Sequence, residues 1–152
     1  MDLKRETILP TLQRGIAVAL LAVSVGVYAP VAVAGARDEC DVGTLEGGYG
    51  LVGNGFLLLG GDTIPTAAIG NVEFDGNGNV SALITQSVTG TLVRIPVTGT
   101  YTVNSDCTGS LVTTDNDGIT RTFDMVIVAG GQEVLTLPTG PGLVSAFSIK
   151  QK

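Results

Sequence analysis

Thr91 to Val103 can be only one kind of secondary structure. Val93, Ile95, Val97, Tyr101 and Val103 fall on one parity, with Gly99 among them, and Arg94, Pro96, Thr98, Thr100 and Thr102 fall mainly on the other. Successive side chains of a strand point to opposite faces, so this period of two writes a strand with one apolar face and one mostly polar face. Pro96 cannot donate to a ladder, which predicts a bulge or a local edge at that point.

The alternation recurs. Ile119, Phe123, Met125 and Ile127 oppose Thr120, Thr122 and Asp124; Leu143, Phe147 and Ile149 oppose Ser148 and Lys150. Val72 and Phe74 oppose Asn71 and Glu73, and Val80, Ala82 and Ile84 oppose Ser81 and Thr85. Tyr49–Leu59, Cys107–Thr114 and Glu133–Leu137 complete the set. Between them lie Asp75-Gly76-Asn77-Gly78, Asn116-Asp117-Gly118, Ala129-Gly130-Gly131 and Pro138-Thr139-Gly140-Pro141-Gly142. Such runs supply the positive φ angles of tight turns. No window keeps helical spacing for ten residues. Short strands joined by short turns make a meander, and closure removes its edges. The expected fold is all-β: an eight-stranded antiparallel up-and-down closed barrel, with a largely Thr, Ser and Asn outer face.

The start of the chain reads differently. Lys4, Arg5 and Arg14 precede an apolar run from Ile16 to Ala29, broken by Pro30, and Ala32-Val33-Ala34 supplies small residues for cleavage. That order is a secretory signal peptide over residues 1–34. The run is shorter than the ~20 residues a spanning helix needs. A charged N-terminal arm follows at 35–46, then the barrel domain at 47–152. The expected location is secreted or periplasmic, with no stable membrane insertion after cleavage. Lipid-facing strands would need apolar outer faces and aromatic girdles, for which the four Phe and two Tyr that follow the leader are too few.

Removing residues 1–34 from 152 leaves 118, with 5 Lys+Arg and 12 Asp+Glu. This acidic balance excludes nucleic acid as an expected partner. The two cysteines, Cys40 and Cys107, are an even pair in an oxidising compartment and read as a disulfide. The chain has no His, which excludes imidazole chemistry and His metal sites. Paired cysteines would remove thiolate catalysis as well. Asp75, Asn77 and Asn79 alternate as in a calcium loop, but Val80 and Gln86 stand where Gly and Glu are needed, so they read as a turn. No metal and no cofactor are expected.

Phe74-Asp75-Gly76-Asn77-Gly78-Asn79-Val80, the Gly99-Thr100-Tyr101-Thr102-Val103 strand running into Asp106-Cys107-Thr108-Gly109, and the Val128–Glu133 turn carry a resemblance. Over roughly residues 47–150 the chain resembles a group of small exported bacterial proteins with lipocalin-like (calycin-like) barrels. The resemblance implies that fold and no catalytic residues.

The candidate site residues are Tyr49, Tyr101, Arg121, Phe123, Met125 and Phe147. The five large apolar ones share the inward parity and either line a ligand cavity or form the packed core. Arg121 either holds a ligand carboxylate at the barrel mouth or reaches solvent over its stem. The leading functional expectation is an exported non-enzymatic barrel binding a small apolar molecule. The alternatives are an interaction module at the cell surface and a barrel cyclase or isomerase.

Overall fold

The computed structural model describes residues 39–152, so the leader and the first residues of the arm lie outside it. Eight strands follow in chain order: β1 (Glu46–Leu59), β2 (Asp62–Asp75), β3 (Asn79–Val88), β4 (Thr91–Val103), β5 (Thr108–Asp115), β6 (Thr120–Val128), β7 (Glu133–Pro138) and β8 (Leu143–Gln151). Each pairs antiparallel with the next, and β8 closes on β1 from Tyr49↔Gln151 to Leu57↔Leu143. The result is the up-and-down closed barrel that the alternation predicts. Among the described residues, no helix is long and apolar enough to cross a membrane.

The strand prolines sit where the ladder lets them. Pro96 pairs with Leu83 of β3, and the pairing of β4 with β5 begins one residue later, at Val97↔Asp115. Pro65 pairs with Phe56 of β1, and the pairing of β2 with β3 begins at Thr66↔Val88. Each therefore stands at a local edge, where a missing N–H leaves no ladder bond unmade.

These offsets also shape one rim. Past Val97 the β3–β4 hairpin runs beyond β5, so Val93 is 45% exposed despite its inward parity. Ile119 is 50% exposed because it lies in the turn before β6 rather than on the strand. Both depart from the inward placement that parity predicts, since parity fixes a direction only where a neighbouring strand exists.

Glycines on the inward parity let the wall bend tightly. A Cβ on Gly99 would run into the Val112 backbone carbonyl of β5, and one on Gly53 into the ring of Phe147, its cross-strand partner. The Phe147 ring thus covers the surface that Gly53 leaves bare.

The opposite end is plugged. A 3-10 turn at Val42–Thr44 leads to Leu45, which has no exposed surface. The Cys40–Cys107 disulfide ties this segment to the turn between β4 and β5. Beneath it Tyr49, Phe74 and Tyr101 stack edge to face, with centroids 5.2 and 5.1 Å apart. Such pairs contribute about 0.5–1.5 kcal/mol each beyond their buried area.

The outer face departs from the hydroxyl-rich surface expected. Val144 lies opposite Phe56, and Val52 opposite Ile69, and all four are exposed; Leu135 and Leu137 are exposed as well. Here β1, β2, β7 and β8 carry apolar residues on both parities.

Candidate functional site

The barrel interior is the concave surface that the alternating pattern builds. Midway down the barrel is a cavity of about 60 Å³ walled by residues such as Leu51, Val80, Ala82, Leu111, Phe123 and Phe147. Toward the open rim is a second of about 70 Å³, whose walls add Gln86, Ile95, Arg121 and Leu143. The two share Ile84, Val97, Thr113, Phe123 and Phe147, so they are successive levels of one interior.

Three of the six candidate residues line it. Phe123 and Phe147 serve both levels and meet edge to face at 6.1 Å. Arg121 stands at the rim level, with its Nη1 3.1 Å from Asp115 Oδ2. Asp115 also accepts the backbone N–H groups of Asp117 and Ile119. The Ile119 N–H bond is the largest of the influences that hold its carboxyl below the usual carboxylate range. Arg121 is therefore already matched by an anion, which weakens its case as the receptor of a ligand carboxylate.

The other three lie elsewhere. Tyr49 and Tyr101 belong to the plugged end. Tyr49 donates its hydroxyl to the Gly131 carbonyl at 2.8 Å, and Tyr101 lies 2.9 Å from the Leu45 carbonyl and 3.0 Å from that of Val42. Burial pushes both phenols up from their ordinary value. Met125 is buried opposite Gly109 and fills the space that this glycine leaves. All three are core, because inward parity selects the whole interior and does not distinguish its plugged end from its open one.

Sequence reasoning missed the polar groups of the interior. Thr66, Gln86 and Ser145 lie on inward parities, among Ala68 and Val72, Ile84, and Leu143 and Phe147 respectively. Gln86 Nε2 donates to Thr66 Oγ1 at 2.8 Å, and Thr66 Oγ1 donates to the Ser87 carbonyl at 3.1 Å. The signal was a hydroxyl or amide interrupting an apolar parity.

The turn acids are structural. Asp75 accepts from the backbone of Asn77 and Asn79 and from the Asn79 side chain, which chiefly holds its carboxyl low. Asp106 is likewise held low, first by the Thr108 hydroxyl. Among the described residues no group of three or more acidic or cysteine side chains is placed to hold a metal. Comparison with protein-family models, curated proteins and solved structures found no match.

Proposed function

We propose that this protein is an exported, non-enzymatic, lipocalin-like barrel that binds a small apolar molecule in its interior. The observation that carries this reading is the apolar two-level cavity inside a closed barrel with one plugged end. Sites for drug-sized ligands run to roughly 300–1,000 Å³, well above the volumes here. A cavity of about 150 Å³ accepts benzene, and the two levels, at about 60 and 70 Å³, approach that size only when taken together. The fitting ligand is therefore no larger than a single small ring or a short chain that spans both levels. Export rests on the leader pattern and on the disulfide, a bond that persists in oxidising compartments. The carboxyls with a resolved shift are all lowered, the opposite of a poised general acid.

The test is a titration with toluene, read by heat or by amide chemical shifts. Binding to the parent protein is expected. It should be lost in Ala82→Leu, which fills the deeper level from its wall, while the variant's thermal midpoint stays within a few degrees of the parent's. Failure of the parent to bind toluene or any comparably small apolar probe would sink the reading.

One observation favours a second reading, an interaction module. Exposed apolar residues sit side by side on the outer wall, Phe56 opposite Val144 and Val52 opposite Ile69, rather than scattered singly. Under this reading, cross-linking in the exported fraction yields a reproducible adduct that Ile69→Lys removes. An adduct pattern unchanged by Ile69→Lys would discard it.

A further inference from the structure

Ser145 Oγ is the one buried side-chain polar atom among the described residues that has no hydrogen-bond partner. Its residue is 8% exposed and lies on the inward face of β8. A buried hydroxyl without a partner is disfavoured by about 1–3 kcal/mol, and native structures keep few such atoms. Its surroundings show what it faces. Ser145 lines a small recess of about 10 Å³ together with Thr66, Gln86 and Leu143. The recess shares Ala68, Gln86, Leu143 and Phe147 with the rim level of the interior. It is therefore a side notch of the cavity and not a separate hole.

The wall is built to bring this hydroxyl close. Gly55 is the cross-strand partner of Ser145, and a Cβ there would overlap the Val144 carbonyl and the Ser145 Cβ. The neighbouring polar groups are already engaged with one another, Gln86 to Thr66 and Thr66 to the Ser87 carbonyl. Ser145 is left as the buried hydroxyl with an unused donor and unused acceptor sites, at the edge of a chamber whose walls are mainly apolar and whose other polar side chains include Thr113, Thr136 and Arg121.

We infer that Ser145 is the polar anchor of the interior site, and that its ligand is an uncharged small apolar molecule carrying one hydroxyl or carbonyl. The ring or chain occupies the two apolar levels, and its single polar atom reaches the notch and hydrogen-bonds Ser145 Oγ. A carboxylate is disfavoured there, because Arg121 is matched by Asp115 and no other cation lines the rim level or the notch. This inference rests on the proposed interior binding and adds the ligand's chemical class.

The experiment compares p-cresol with toluene, which differ by one hydroxyl, on the parent protein and on Ser145→Ala. The parent is expected to bind p-cresol about ten-fold more tightly than toluene, the ratio that one hydrogen bond to a waiting buried group gives. In Ser145→Ala the preference falls to about one, toluene affinity is kept, and thermal stability equals or exceeds the parent's because an unpaired polar atom is gone. Equal affinities of the parent for both probes, or an unchanged preference in Ser145→Ala, overturn the anchor while leaving interior binding standing. Binding of neither probe removes interior binding itself, and the anchor with it.

Discussion

Replacing Cys40 and Cys107 together by serine lowers the unfolding free energy by about 4 kcal/mol. The bridge spans a sequence separation of 67 residues, and the chain-entropy relation gives ~4 kcal/mol for a loop of that length. Small domains have only about 5–15 kcal/mol in all, so the loss is a large share of the whole. For a chain of this size it corresponds to a fall in melting temperature on the order of 10–20 °C. The bridge also has a local task. Cys40 is buried, and its N–H donates to the Ser105 carbonyl across the β4–β5 turn. Cutting the bond frees the segment that plugs the barrel as well as loosening the unfolded ensemble. Urea unfolding of the double-serine variant beside the parent checks the figure, and a difference below about 1 kcal/mol would contradict it. Reductant should reproduce the variant's curve.

The sequence made the architecture readable because the fold depends on a repeated signal. Each strand contributes a period-two pattern, each hairpin a glycine or Asx turn, and eight such units leave closure as the way to remove edges. Individual positions were less readable wherever direction depended on a neighbour. Val93 and Ile119 carry inward parity but lie beyond the adjoining strand or in a turn, so they meet solvent. Tyr49 and Tyr101 are indistinguishable by parity from Phe123 and Phe147. Only the course of the arm over one end separates plug from cavity wall. The outer face misled for a related reason. The cleanest alternation is on β4 and β6, while the apolar outward residues Val52, Phe56, Ile69 and Val144 lie on strands where both parities are greasy. Ser145 was present in the pattern, but a lone hydroxyl in an apolar register looks like noise until its burial and missing partner are seen.

The plug itself is open to a direct test through Leu45. This side chain has no exposed surface and belongs to the buried cluster that contains Tyr49, Phe74 and Tyr101. Its backbone carbonyl lies 2.9 Å from the Tyr101 hydroxyl, which holds the segment in place from below. Leu45→Ala removes three buried carbons above a ring stack that is held edge to face and cannot readily collapse into the gap. Truncations of this kind cost about 2–5 kcal/mol, and the upper half of that range is expected here. The cost should depend on the disulfide. When Cys40 and Cys107 are both serine, residues 40–45 are held only by their noncovalent contacts and undock more readily, so less of Leu45's burial remains to be lost. Leu45→Ala is then expected to cost less in the double-serine background, with a coupling of roughly 0.5–3 kcal/mol between the two changes. A double-mutant cycle by urea unfolding measures it, with tyrosine fluorescence reporting the closed end, since the chain has no Trp. Equal costs in both backgrounds would mean that the segment stays seated without its covalent tie, and the bridge would then act on the unfolded chain alone.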